Sequence, residues 1–476
     1  MDASTDRKLF LGARLKRLRR DLSLTQTAMA ADLGVSPSYL NHIERNQRPV
    51  SAQLLLRLAE TYDVDLRSLN QAGAADEARL AEILTDPLFK GLSAPRHELV
   101  QLLEEAPGVA DALLRLYQAF DDGRAKARAA AETGEGLVES SPADWVREHI
   151  QSRGNHFPEL DQMGETLAEI LSAEAPAHAD GFEPAARQRL AARHDLGVRT
   201  LPAEVMVEWT RRYDLHRRRL LLSETLGPAS RAFAIAYQLA LVEHGPDLHR
   251  MAEASAAPDA PTRSLLKVAL TNTLAAAILM PYAAFQRAAE ETGYDLARLQ
   301  GRFGVSYEQA AHRLTTLSRP TARGVPFFLM RVDQAGNISK RYAAGAFPFS
   351  RFGGACPRWR LHSAFRTPGR IVTQIIETPD GNRWFTFART VERQGHDGHG
   401  ERHDLAVGLG CELRHAHRLT YARGLDLDSP EATPIGPACR LCHRHPCAER
   451  AAAPIDRPLA VDDWSKSVSP YPFGAT

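Results

Sequence analysis

The sequence predicts a multidomain chain. It reads as an all-α N-terminal domain, a helical connector, a mixed α+β middle domain and an α/β C-terminal domain that holds every cysteine. Three observations carry this. The chain has 476 residues, enough for about two to four domains at roughly 100–200 residues each. Its first part carries two short apolar-periodic segments separated by Gly34 and preceded by Thr25 and Ser36. After residue 325 the pattern turns to β-like runs, Val325–Asp333 and Ile371–Glu377. Each is followed by a turn signal, Ala335-Gly336-Asn337 and Pro379-Asp380-Gly381.

Composition excludes several classes. Hydrophobic residues are 44% and charged residues 25%, the mix of an ordinary globular protein, not of a disordered, collagenous or disulfide-dense chain. Lys plus Arg number 59 and Asp plus Glu 58, so any nucleic acid must be met by a local patch. The start, MDASTDRKLF, has no apolar signal core and reads as cytoplasmic. The longest apolar stretch, near Leu274–Phe285, is shorter than the roughly 20 residues that span a bilayer, so no membrane partner is expected.

Residues 8–70 are the first element. Leu15–Arg19 opens a basic amphipathic helix. Thr25 is placed to cap a short helix through Leu33, Gly34 supplies the tight turn, and Ser36 caps the next helix with Pro37 in its first turn. Ala28, Ala31, Leu33, Val35, Leu40 and Ile43 are spaced to pack these helices together, leaving Gln26, Ser36, Ser38, Tyr39, Asn41, His42 and Arg45 outside. Residues 1–50 carry nine Lys/Arg (7, 8, 14, 16, 17, 19, 20, 45, 48) against five acids (2, 6, 21, 32, 44). The pattern resembles a lambda-repressor-like (XRE) helix-turn-helix domain with Pro37–Arg45 as recognition helix. Ser36, Ser38, Tyr39 and Asn41 are then the base-facing candidates, and Gln26 and Arg45 the phosphate contacts. Such modules usually act as homodimers on two half-sites of double-stranded DNA. A helical bundle used for protein contacts is the alternative.

Residues 71–150 form the connector. Glu98–Phe120 has heptad-like apolar spacing (Leu99, Leu102, Leu103, Val109, Leu113, Leu114, Tyr117), and Asp122–Gly136 is charged and expected to be exposed.

Residues 151–320 follow. Arg231–His244 and Val268–Pro281 together resemble the ImmA/IrrE metallopeptidase-like domain. In that family the first helix carries His-Glu-x-x-His, which binds zinc and places a general base. Here Asn272, Ala275, Ala276, Ala277, Met280 and Pro281 keep the scaffold. Tyr237, Gln238 and Leu241 stand where His, Glu and His would be, and Val268, Ala269 and Leu270 offer no third ligand. These side chains cannot hold zinc with an activated water, so no peptidase activity is expected. The emptied cleft, lined by Tyr237 and Gln238, becomes a candidate ligand site, with a filled-in core as the alternative. Glu243 and His244 read as a solvated helix end. Phe303–Leu314 faintly suggests a second helix-turn-helix, but Phe303, Val305 and Leu314 serve equally well as core.

Residues 321–476 hold all five cysteines. Cys439, Cys442 and Cys447 give C-x2-C-x4-C, a spacing at which thiolates can turn onto one metal centre. Gly408-Leu409-Gly410-Cys411 looks like a strand-to-helix turn, and a cysteine at a helix N-terminus is biased to thiolate. Cys411 is therefore the expected fourth ligand, with Cys356 in reserve. Spacing alone leaves zinc and an iron–sulfur cluster open. His415, His417, His443 and His445 keep a mixed Cys/His zinc site in play, and reduced cysteines without metal are the bland alternative. Gln394–His403 reads as a polar loop.

The domain order, with Asn337–Arg341, Gly353–Pro357, Gly408–Cys411 and the cysteine tail, resembles the short-chain fatty acyl-CoA regulators, transcription factors of bacterial propionate and acetate metabolism. The resemblance covers nearly the whole chain. It implies a short-chain acyl-CoA effector and a [4Fe–4S] cluster on the C-terminal cysteines. Phosphates on the effector call for cations, and Arg231, Lys267, Lys340 and Arg341 are candidates beside Tyr237 and Gln238. The expected function is a ligand-responsive transcriptional regulator, not an enzyme. The rivals are a redox-sensing iron–sulfur regulator without acyl-CoA, and a metallopeptidase-type regulator.

Overall fold

Short polar caps set the helices of the N-terminal unit. In the computed structural model, helices α1 (Gly12–Asp21), α2 (Gln26–Asp32), α3 (Pro37–Glu44) and α4 (Ala52–Tyr62) follow in order. The structure describes residues 12–62 apart from 23 and 46, parts of 79–120, 141–174, 181–345, 347, 356–394, 402–436, 438–454 and 457–473. The chain divides into two compact units, Met1–Glu139 and Ser140–Thr476.

In the first unit, Thr25 accepts a hydrogen bond from the Ala28 amide and Ser36 accepts one from Tyr39, each at 3.1 Å. Gly34 takes a positive φ of 64°, where a Cβ would be strained. Met29, Ala30, Leu33, Leu40, Ile43, Leu54 and Leu58 fill the core. The phase of α2 differs from expectation: Ala31 is exposed and Ala28 half-buried, while Met29 and Ala30 face inward. A helix of seven residues buries only a narrow stripe, and the larger Met claims it. The expected connector helix over Glu98–Phe120 is interrupted. Residues 102–103 and 112–118 are helical but Ala106 is not, as the following Pro107 disfavours the helical conformation there. Leu80, Leu99 and Ala110 form a small core. The expected exposed run Asp122–Gly136 lies outside the described residues.

The second unit begins with α5 (Pro142–Gln151), α6 (Pro158–Glu174) and α7 (Phe182–His194). A three-stranded sheet follows, β1 (Gly197–Leu201), β2 (Arg211–Asp214) and β3 (Arg219–Ser223), in the order β1-β3-β2 with β1 parallel and β2 antiparallel to β3. Helices α8 (Pro228–Glu253) and α9 (Ala260–Leu279) pack beside it around Leu220, Leu222, Ile235, Leu239, Leu266 and Leu270. Pro246 lies inside α8, and the helix kinks at His244. The small-residue run of α9 has a packing reason: a Cβ on Gly164 of α6 would fall 2.5 Å from that of Ala277, so the two helices meet at backbone distance.

Helices α10 (Tyr282–Thr292), α11 (Leu296–Phe303) and α12 (Tyr307–Leu314) lead to strands β4 (Phe328–Val332), β5 (Ile338–Ala343), β6 (Val372–Glu377), β7 (Arg383–Gln394), β8 (Arg402–Glu412) and β9 (Thr433–Pro434). They form one sheet, β5-β4-β8-β7-β6-β9, antiparallel except where β6 meets β9. Both predicted runs are strands, and their turn glycines Gly336 and Gly381 take φ of 86° and 79°. One face, with Leu329, Phe385, Phe387, Val407, Leu409 and Cys411, shares a core with Tyr282, Phe285, Leu299 and Leu314 from the three helices. The other face packs Phe328, Met330 and Trp384 on Phe347, Trp359 and Leu361. Beyond Phe328 the described regular elements are strands and short 3-10 turns. The α component expected of this segment is supplied by helices that precede it. Gln394, Arg402 and His403, expected in a loop, are paired strand residues, and the intervening residues lie outside the described ones. The faint second helix-turn-helix is α11, Gly304 and α12, and its apolar residues are core.

A buried ionic tie joins the helices. Asp161, 2% exposed, accepts from Arg313 at 2.7 Å and sits 3.1 Å from His156. The same guanidinium donates to the carbonyl of Met280 and to Thr316. No single helix among the described residues is long and apolar enough to cross a membrane.

Candidate DNA-binding and ligand-binding sites

Helix α3 presents Ser36, Ser38, His42 and Arg45 to solvent, with Tyr39 and Asn41 half-buried at its front. The Gln26 amide donates to Asn41 Oδ1 at 3.3 Å and to Glu44 Oε2 at 3.0 Å. Glu44 is buried and pairs with Arg19 at 2.6 Å. Gln26 and Asn41, expected in separate roles, are thus one hydrogen-bonded pair anchored on an α1–α3 ion pair. That anchoring holds the Asn41 side-chain oxygen against Gln26. Ser36 spends its hydroxyl on the cap as an acceptor. The Arg48 guanidinium lies 6.0 Å from the Tyr39 ring. The expected end of this domain near residue 70 lies outside the described residues.

In the second unit, Tyr237 and Gln238 are 7% and 2% exposed on α8. The Gln238 amide nitrogen is buried without a hydrogen-bond partner. Above the Tyr237 ring, 3.6 Å from its centroid, lies the Arg211 guanidinium at the start of β2. Burial holds Arg211 below its ordinary value, opposed by Tyr237. Among the described residues no carboxylate pairs with it. A cation therefore covers the ring of Tyr237, which stands at one of the positions where the metallopeptidase resemblance would put a metal ligand. Sequence reading missed Arg211, because only the pairing of β2 with β3 carries it over α8.

Three of the other expected cations are near carboxylates elsewhere. Arg231 Nε is 3.8 Å from Glu183. Lys340 bonds Glu308 at 2.5 Å and Arg341 lies 3.9 Å from Asp144, both on the edge strand β5. Lys267 is half-buried on α9. The structure groups Tyr237 with Arg211, leaves the Gln238 amide buried without a partner, and gives Lys340 and Arg341 other partners. Glu243 is not a solvated helix end. It accepts from Arg189 at 2.5 Å and from His194 at 3.2 Å, and Arg189 also binds Glu174. His244 faces Asp247 at 3.4 Å.

The cysteines divide differently from expectation. Cys411 lies inside β8 opposite Phe385, fully buried, and burial pushes its thiol well above the ordinary range. Its charged neighbours are Glu412 and Arg418. The motif before it is not a turn. A Cβ on Gly408 would meet Leu361 at 2.8 Å, and one on Gly410 would meet Phe328 at 2.4 Å. The glycines make room for the opposite core; the strand does pass into a short 3-10 helix, Leu413–Arg418, but that begins after Glu412, so Cys411 is a strand residue and not a helix N-terminus. The reserve residue Cys356 takes its place near the others. Its thiol is raised chiefly by burial, with Cys439 and Cys442 as electrostatic neighbours. Cys442 packs on Gly436, where a Cβ would be 2.5 Å from its sulfur. Beneath this loop Arg450 is 3% exposed and donates to the carbonyls of Cys439, Cys442 and Arg444. Its Nε is buried without a partner. Among the described residues no three His, Cys, Asp or Glu side chains are drawn together as metal ligands. His443, His445 and His417 are exposed, and His415 is half-buried.

Comparison with known proteins follows this division. Residues 316–471 match the short-chain fatty acyl coenzyme A regulator C-terminal domain, residues 191–315 the IrrE N-terminal-like domain, and residues 11–71 a helix-turn-helix domain. The chain is 38% identical over 488 residues to the HTH-type transcriptional regulator RamB of Mycobacterium tuberculosis, covering 98% of each. It is 38% identical over 468 residues to the propionyl-CoA carboxylase regulator of Cereibacter sphaeroides, covering 98% of each. A solved Mycobacterium tuberculosis transcriptional regulator superposes with a TM-score of 0.65 at 38% identity, covering 69% of this chain and 99% of that one.

Proposed function

Because the chain belongs to the short-chain fatty acyl-CoA regulator family, we propose that it is a dimeric, DNA-binding transcription factor, and not an enzyme, whose operator affinity responds to a short-chain acyl-CoA. The observation that carries the reading is the Arg211–Tyr237 stack, with the buried, unpartnered amide of Gln238 on the same helix. Two donors and an aromatic face, with no carboxylate to hold a metal, suit a ligand rich in oxygen acceptors and negative charge. An acyl-CoA offers a thioester carbonyl, amides and phosphates. In this reading Arg211 and Gln238 donate to the ligand, and Tyr237 bounds the slot. The effector biases two arrangements of the dimer by binding one more tightly, and DNA alters effector affinity by the same factor. Isothermal titration of the purified chain with propionyl-CoA, acetyl-CoA and free coenzyme A tests this. Saturable heat supports the reading. No heat at high micromolar thioester removes it.

The family resemblance also implies a [4Fe–4S] cluster. The donor types fit it: Cys439, Cys442 and Cys447 are close in sequence, Cys356 has Cys439 and Cys442 as electrostatic neighbours, and the buried, carboxylate-free Arg450 offsets thiolate charge. When bound, such a cluster supplies a covalent cross-link and a one-electron redox couple. The chain's own part is to close the Cys439–Cys447 loop through Arg450 and to bury Cys356 against Gly436. Zinc on the same thiolates is the other metal these donors suit. A redox regulator without effector is the second reading. Cysteine-dependent loss of DNA binding on oxidation, without any acyl-CoA response, would establish it.

A further inference from the structure

The three-stranded sheet is two-faced. Its inner face sends Val198, Leu220, Leu222 and Tyr213 into the helical core. Its outer face is set by register: Arg199 of β1, Leu221 of β3 and Arg212 of β2 are aligned in one row, with Gly197, Arg219 and Asp214 in the next on the same side. Arg199, Arg212 and Arg219 are all exposed. Among the described residues none of the three has a carboxylate within ion-pair distance. The β2–β3 turn adds exposed His216, Arg217 and Arg218. Arg218 reaches Asp195 only at 3.6 Å, and that carboxylate is itself 89% exposed.

In a chain of net charge +1, this face gathers three exposed guanidiniums over two neighbouring rows. Arg199 and Arg212 each lie opposite Leu221, and Arg219 lies opposite Gly197 and Asp214, yet no ion pair holds any of the three arginines among the described residues. The patch spans about 10 Å across three strands, and its three arginines are all exposed. Exposed guanidinium forks match phosphate oxygens in geometry and charge. An extended polyanion fits this surface better than a buried ligand does.

We propose that the outer face of this sheet is a second DNA contact, which binds backbone phosphates. It rests on the regulator reading and adds to it a role for the sensor unit in holding DNA. The face carries no base-reading amides, so its contribution is independent of sequence and sensitive to salt.

The test uses the full chain and a mixed-sequence DNA duplex of about 40 base pairs, with affinity followed by fluorescence anisotropy between about 50 and 200 mM salt. The double variant Arg212→Ser/Arg219→Ser changes only exposed side chains and should melt like the wild type. Each lost phosphate contact lowers the slope of log affinity against log salt by about 0.9, so the double variant should be shallower by about 1.8 and Arg199→Ser by about 0.9. Equal slopes overturn the inference while leaving the regulator reading intact. Unchanged DNA slopes with weaker binding of free coenzyme A assign the cations to the effector's phosphates and also overturn it. A wild-type chain that binds no duplex removes the regulator reading itself.

Discussion

Replacing Arg211 by Met separates a ligand role from a structural one. The side chain is largely buried, lies 3.6 Å from the Tyr237 ring and has no carboxylate partner among the described residues. If it served only the fold, its loss would remove a desolvated cation–π contact worth about 0.5–2 kcal/mol. Against that, Met ends the cost of keeping an uncompensated charge out of water, which is of similar or larger size. The net change in stability should therefore lie within about 1 kcal/mol of zero. Ligand binding has no such offset. A charge-assisted hydrogen bond lost from a buried site costs about 1.5–3 kcal/mol, which is about 10- to 150-fold in affinity. Calorimetric titration with propionyl-CoA and urea unfolding of the same samples read both quantities. Wild-type affinity in the variant, or unfolding at much lower urea with unchanged affinity, would refute the assignment.

Further outcomes follow from other sites. Asp161→Asn should lower stability by about 3–5 kcal/mol in denaturant melts, because Arg313 is left buried without its counter-charge; a loss under about 1 kcal/mol contradicts the tie. Burial holds His312 and His149 down to about 4, against 6.5 ordinarily. The unfolded chain then takes up protons first as pH falls, so stability is full above about pH 6.5 and declines towards pH 4. His312 alone accounts for about 2 kcal/mol at about pH 5, and His312→Leu should flatten that part of the profile. Cys442→Ala should abolish bound iron and visible absorbance. Cys411→Ala should keep both and lose about 1 kcal/mol of packing; the opposite pattern would return Cys411 to the ligand set, and a colourless wild type with bound zinc would replace the cluster.

What the sequence disclosed depended on how local the cause was. The caps at Thr25 and Ser36 and the left-handed Gly34 act within a few residues, and the helix-turn-helix was readable from them. The hairpin turns at Gly336 and Gly381 were readable for the same reason. The emptied metal motif on α8 was visible because the two resembling helices differ from the family at named positions. Arg211 was not, since it reaches Tyr237 only through strand pairing. The Gly-Leu-Gly-Cys motif misled because its glycines answer to Phe328 and Leu361 across the sheet, not to a turn. Cys356 was undervalued because about 80 residues of chain separate it from the loop it joins.

The central claim is that a protease-like scaffold without its zinc motif has become a receptor that governs a DNA-binding head. Its most direct test is the affinity of the full chain for DNA from its own upstream region, measured with and without saturating propionyl-CoA. The account predicts a shift of several-fold in either direction, matched by an equal shift of propionyl-CoA affinity when DNA is present. Superimposable curves in both experiments would contradict it.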